Sequence, residues 1–229
     1  MGHLIHKIFE SRGNMNHFIR WSFFVMGLII FSLGITLAIN FQDLGIHPWD
    51  VLNVALYHKI GFTIGTWNIL CGLFLIIVSW ILDKSYIKLG TFLNAFIVGS
   101  FVDFFMWLDF LPKANDTWTD IVIIILAIVI MGIGGGIYNA ASVGSGPRDG
   151  FMLSISEKTG ASIGKVRIIT ESSVLVLGLI LGGPVFVFTF IFTFIQSPIF
   201  QQTYLYFKDL IDRWTFVKNI QIQESERNI

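Results

Sequence analysis

The chain of 229 residues is 54% hydrophobic and 13% charged, carries 23 phenylalanines and has a mean hydropathy of +0.74 with zero net charge. No soluble core absorbs this much apolar surface, so lipid must be the main solvent, and a balanced charge lacks the basic footprint of a nucleic-acid partner. The single cysteine, Cys71, excludes a disulfide framework or thiolate metal cluster within the chain.

The polar start, MGHLIHKIFESRGNMNH, is too long and mixed for a signal n-region, and no small-residue cleavage site follows the first apolar run, which is expected to be retained. Apolar runs near the ~20 residues needed to cross a hydrocarbon layer lie at about 21–40, 62–82, 87–108, 119–141, 162–183 and 184–207. The expected fold is all-α, a single membrane domain over 1–229 with six transmembrane helices. After the sixth run, Leu210, Ile211, Trp214 and Val217 recur at helical spacing, so 208–229 reads as a cytoplasmic, interfacial amphipathic tail.

Orientation follows from the basic residues. Lys7, Arg12 and Arg20 precede the first span, Lys84 and Lys88 join the second and third, Arg148, Lys158 and Lys165 lie between the fourth and fifth, and Lys208, Arg213, Lys218 and Arg227 follow the sixth. Those segments are expected in the cytoplasm, leaving only Lys59 and Lys113 in the opposite short loops. Both termini then face the cytoplasm.

Two stretches share a pattern. With an offset of 99, Gly45, Pro48, Asp50, Lys59, Gly61, Ile64, Gly65 and Ile69 meet Gly144, Pro147, Asp149, Lys158, Gly160, Ile163, Gly164 and Ile168. These are eight identities where this composition would give roughly two by chance. Asn40 and Asn139 keep the offset, and Thr91-Phe92 echo Thr189-Phe190 after one deletion. The chain thus reads as two repeats, about 21–108 and 119–207. Three spans being odd, the second enters the membrane from the opposite side.

Each phrase encodes a short helix. Glycine and proline stop what precedes; Pro48 or Pro147 suits a first helical turn, Asp50 or Asp149 complements its positive end, and Gly61 or Gly160 closes it. Gly146 and Gly150 flank the second start. Such a helix is too short to span, so it lies at the interface as an elbow with aspartate as N-cap, or re-enters and points its N-terminus at a shared cavity. Trp49 is read as an interfacial belt residue, with a gate at the shared cavity as the alternative.

Arg167 and Glu171 stand four apart, on one face of the fifth span, with Glu171 ~13 Å deep at 1.5 Å rise per residue. Intramembrane charges face a bundle interior or a wet cavity, either as a structural pair or as a solute or proton path. Asn68 is the offset partner of Arg167. The candidate path comprises Asp50, Asn68, Arg148, Asp149, Arg167 and Glu171. Asp103 and Asn94 on the third span are weaker candidates, Asp103 being near an end and read as structural. His47 and His58 lack a third ligand at metal spacing, so no metal site is expected. The run MGIGGGIYNAAS, residues 131–142, lacks a P-loop lysine and is explained by close helix packing, so no cofactor is implied.

The phrases GIHPWDVLN, LGTFLNAFIVGSFVD, GSGPRDGFMLSISEKTG and VRIITESSVLVLGLILGG resemble the YczE/YyaS/YitT group of bacterial integral membrane proteins, more closely its YczE branch, over most of residues 21–200. On that pattern Pro147, Arg148, Asp149, Gly150, Arg167 and Glu171 correspond, and a bacterial cell membrane is implied. The sixth span departs from it, with Phe186, Phe188 and Ser197 where glycines are expected, and Asn53 stands where the group often has histidine.

Inverted repeats, interrupted segments and buried charges together favour a transporter of a small solute, proton-coupled through Glu171. A passive channel and a non-transporting scaffold, acting with a second copy or another membrane protein, are the alternatives. No His-Glu-x-x-His, nucleophile elbow or metal set points to an enzyme.

Overall fold

The computed structural model describes the backbone of residues 2–83 and 87–227, and side chains there apart from 2–16, 163, 164, 193 and 215–227. Lys7, Arg12, Lys84, Val217, Lys218 and Arg227 therefore lie outside the described side chains. Among the described residues the chain forms α1 (Gly2–Ile39), a 3-10 turn (Gln42–Leu44), α2 (Pro48–Ile60), α3 (Ile64–Leu82), α4 (Leu89–Leu108), α5 (Trp118–Ala140), α6 (Pro147–Thr159), α7 (Ile163–Ile180) and α8 (Val187–Arg227), with no strand.

Four of these are long and apolar enough to cross a membrane: His17–Ile39 within α1, and α3, α4 and α5. Lys165, Arg167 and Glu171 interrupt the apolar character of α7, and Gln196, Ser197, Gln201 and Gln202 that of α8. Phe74, Trp80, Phe96, Trp107, Ile169 and Phe194 are exposed on the outside, a surface that suits lipid contact. This is a multi-pass membrane protein.

Helix starts follow local chemistry. Thr63 caps α3 by accepting from Thr66 N–H at 3.1 Å, and Asp120 reaches back to Asn115 and Thr117 N–H before α5, supplying acceptors that a helix N-terminus lacks internally. The expected tail is not a separate helix: α8 runs through Pro198 to Arg227 without a break. Its Ile211 is fully buried and Trp214 half exposed.

The core is built on α5, which packs along α1 on one side and α8 on another. Glycines permit both approaches. Gly27 and Gly134 bring α1 and α5 into backbone contact, and Gly132, Gly135 and Gly136 receive Ile199, Phe200 and Thr203 of α8. Small residues on α5 thus compensate for bulky ones on α8, and the expectation that residues 131–142 serve packing holds. Further pairs are α1 with α4, α3 with α4, α2 with α3, α6 with α7, α2 with α7 and α3 with α6.

Candidate functional site: a charged cavity between the short helices

Both phrases fold into helices of 13 residues that start at proline and end at a glycine C-cap with positive φ, Gly61 and Gly160. Their first ends differ. At α2, His47 is the N-cap and its Nδ1 accepts from Trp49 N–H at 3.4 Å. At α6, Gly146 stands in that place and no side chain caps the helix. Neither aspartate is an N-cap: Asp50 and Asp149 sit in the first turns and engage arginines instead.

The strand-like connections that deliver these ends are anchored by close approaches. Gly45 adopts φ +108, and a Cβ there would lie 2.6 Å from Thr189 N; a Cβ on Gly144 would lie 2.7 Å from Thr91 N. Thr189 Oγ1 accepts from Phe186 N–H and Thr91 Oγ1 from Lys88 N–H, both at 3.3 Å. Each glycine therefore admits the capped start of a helix from the other half of the chain.

Both short-helix N-termini border one cavity of about 640 Å³. Of the residues singled out from sequence, Asn68, Gly146, Pro147, Arg148, Asp149, Arg167 and Glu171 line it. Asp50 lies behind this wall with its side chain 2% exposed, and reaches Arg148 Nη2 at 3.4 Å. Gly45, Pro48, Gly144 and Gly150 shape the helix starts and are not on the lining.

The charges form a chain across the cavity. Arg167 lies 3.5 Å from Asp149 Oδ1 and 3.8 Å from Glu171 Oε1, the expected i,i+4 pair. Glu171 is 4.0 Å from His47 Nε2, and the Arg148 guanidinium sits 5.2 Å from the Trp49 ring centroid, in reach of its π face. The cluster thus links the cap of α2, the first turn of α6 and the middle of α7.

Several lining groups stand outside the candidate path read from sequence. Tyr138, Gln196 and Gln201 carry no signal there, whereas His47 and Trp49 read as other roles and Asn94 as a weaker one; all border the cavity. Trp49 corrects an expectation: it is 4% exposed and faces the cavity rather than the membrane interface. Asp103 is structural, accepting from Thr63 Oγ1 at 2.6 Å and Gly65 N at 2.8 Å. Among the described residues no group of three His, Cys, Asp or Glu side chains is placed to hold a metal ion.

Three buried lining atoms lack a full complement of protein partners: Trp49 Nε1 and Arg167 Nε, which make no hydrogen bond, and Asn94 Nδ2, which has only the Tyr138 hydroxyl. All are donors. At Gly146 a Cβ would lie 3.2 Å from Tyr138 Oη, 3.5 Å from Asp149 Oδ2 and 3.7 Å from Asn94 Nδ2. The missing side chain keeps open a point where a donor, a hydroxyl and a carboxylate converge.

Comparison with known proteins places this arrangement in context. Residues 18–204 match the family described as "Family of unknown function (DUF6198)". The chain is 37% identical over 168 residues to the Uncharacterized membrane protein YczE of Bacillus subtilis (strain 168), covering 73% of this chain and 77% of that protein. It is 31% identical over 169 residues to the Uncharacterized protein YyaS of the same strain, covering 72% and 83%. An Uncharacterized protein of Haemophilus influenzae (strain ATCC 51907 / DSM 11121 / KW20 / Rd) is 30% identical over 171 residues, covering 75% and 77%. No solved structure matches.

Proposed function

Since the chain belongs to the DUF6198 family, whose description carries no activity, we propose its function from the geometry: a permease that moves a small solute across the bacterial cell membrane through the cavity between α2 and α6. It acts as a carrier rather than an enzyme. The observation that carries this reading is the convergence of two short-helix N-termini and four charged side chains, Arg148, Asp149, Arg167 and Glu171, on one cavity of about 640 Å³. Interrupted helices that aim positive ends at a polar cavity are a recurrent way of holding a solute within a bilayer.

In this reading α1, α3, α4, α5, α7 and α8 all cross the membrane, α2 and α6 re-enter it, and α1–α4 and α5–α8 are inverted repeats. The packing supports it. Exchanging α1–α4 for α5–α8 turns the α2–α7 pair into α6–α3 and the α1–α4 pair into α5–α8. The same exchange turns the Gly45–Thr189 approach into Gly144–Thr91. Both termini then lie in the cytoplasm, and the exposed Lys59 and Lys158 lie on opposite sides. In a Cys71→Ala background, cysteine at position 59 is labelled from outside intact cells and cysteine at 158 is not; equal labelling ends the inverted arrangement.

Transport is measured with the purified protein in liposomes against a solute panel. Saturable flux supports the carrier; unsaturable flux indicates a channel. Glu171 serves as the proton-coupling group, so Glu171→Gln keeps the fold and loses pH-dependent flux. The scaffold reading rests on the arginine–carboxylate pairs bonding each other. It predicts that Arg167→Met with Glu171→Leu restores stability and full cellular function, because a buried pair replaced by apolar groups is often neutral for folding.

A further inference from the structure

Resting on the permease reading, we propose that the solute is a small zwitterion of the amino-acid type. Its carboxylate is held by the open N-terminus of α6 with Asn94 and Trp49, and its cationic group by Asp149 and Glu171.

The carboxylate half follows from the donors. α6 is a helix of 13 residues whose N-terminus carries no side-chain cap, whereas His47 already occupies the corresponding place on α2. A helix N-terminus offers free N–H groups and partial positive charge to an anion. Beside it stand the two donors best removed from solvent, Trp49 Nε1 and Asn94 Nδ2, on residues 4% and 6% exposed. Burying a donor without a partner is costly, so a site that keeps several facing one cavity is completed by an acceptor. Asn94 Nδ2 stands beside the Tyr138 hydroxyl at Gly146, yet an amide nitrogen carries two N–H bonds and one contact cannot use both.

The cationic half follows from charge. Asp50, Asp149 and Glu171 face Arg148 and Arg167, three carboxylates against two guanidiniums. Counted formally over these five side chains, the carboxylates exceed the guanidiniums by one. A simple anion would add a second in a site of low dielectric, which electrostatics disfavours. A solute that brings its own positive group leaves the balance intact. Asp149 Oδ2 and Asn94 Nδ2 both border the opening at Gly146, so one small molecule can meet a carboxylate and an amide donor there. Phe31, Val98, Met152 and Phe200 supply an apolar wall for a side chain.

The test uses purified full-length protein in detergent and three matched pools, read by thermal shift and by calorimetric titration. The zwitterions are glycine, alanine, leucine, β-alanine, γ-aminobutyrate and glycine betaine; the second pool holds the carboxylates lacking the amino group, and the third the amines lacking the carboxylate. At least one zwitterion is expected to bind ten or more times tighter than both of its single-charge counterparts. Trp49→Phe, which keeps the ring over Arg148, and Asn94→Leu, which keeps the volume, should each weaken it about tenfold, the worth of a hydrogen bond to a charged group. Equal binding of the carboxylate counterpart, binding of the amine alone, no zwitterion binding by folded protein, or unchanged affinity in both variants overturns the proposal. Zwitterion binding without flux in liposomes would instead refute the permease while leaving this site standing; saturable flux of a solute with no carboxylate would do the reverse.

Discussion

The two short helices have the same length and nearly the same opening phrase, yet their N-termini meet the cavity in different states. α2 is closed: His47 caps it, and the Asp50 side chain is 2% exposed and committed to Arg148. α6 is open: Gly146 provides no cap, and Arg148 and Asp149 are 22% and 29% exposed at their side chains. The comparison teaches that a repeated motif has divided its labour. One copy supplies a buried anchor, the other a more exposed end that the proposed solute would meet.

The largest effect should separate the two aspartates. Asp50→Ala leaves Arg148 without its deeply buried partner and is expected to lower stability by about 3 kcal/mol or more, the cost of breaking a buried pair. Asp149→Ala should cost at most about 1 kcal/mol, since that carboxylate is more exposed and Arg167 retains Glu171. Thermal unfolding in detergent reads both, and equal losses would erase the anchor and working-end distinction. Asp50→Leu with Arg148→Met should recover most of the stability while solute binding stays lost.

A smaller change should make α6 resemble α2. Gly146→Ser places a capping hydroxyl on backbone angles already suited to an N-cap, φ −60 and ψ 154. Its Cβ also enters the opening among Tyr138, Asp149 and Asn94. Stability is expected to change by no more than about 1 kcal/mol, while solute affinity falls at least tenfold. Unaltered affinity would show that the open end is not the working one.

At the far ends the helices differ in backbone alone, and solute affinity should not change there. Gly61 holds φ 93 and ψ −152, a region essentially restricted to glycine, and Gly160 holds φ 69 and ψ 6, the ordinary left-handed region. A Cβ meets nothing within 4 Å at either position, so alanine there reports backbone cost alone. Gly61→Ala should lose about 2 kcal/mol and Gly160→Ala about 1 kcal/mol. The reverse order in thermal midpoints would contradict these backbone assignments.

Local grammar was legible in the sequence. Proline at the first turn and glycine at the close mark α2 and α6 to within a residue, and the spacing of Arg167 and Glu171 indicates their pairing. What was hidden is tertiary. The Arg148–Asp50 bond joins residues 98 apart, and no periodicity announces it. Trp49 follows a proline in a loop-like context that reads as a membrane interface, but α2 turns its first residues inward and buries the ring. Asn94, Gln196 and Gln201 look like tolerated polar residues in apolar helices until the chain brings them to one cavity. The apolar run at 184–207 and the amphipathic spacing after Lys208 suggest a span followed by a separate tail, whereas a single helix continues through both.

The Arg148–Asp50 bond also sets a constraint on biosynthesis. Translation at ~5–20 residues per second separates the appearance of Asp50 from that of Arg148 by roughly 5–20 s. The docking partner of α2, α7, emerges later still. For that interval the nascent first half carries the Asp50 carboxylate without its arginine, and a short helix with α3 but not α7 to pack on. Full pairing of Asp50 and the final seating of α2 therefore await synthesis of the second half.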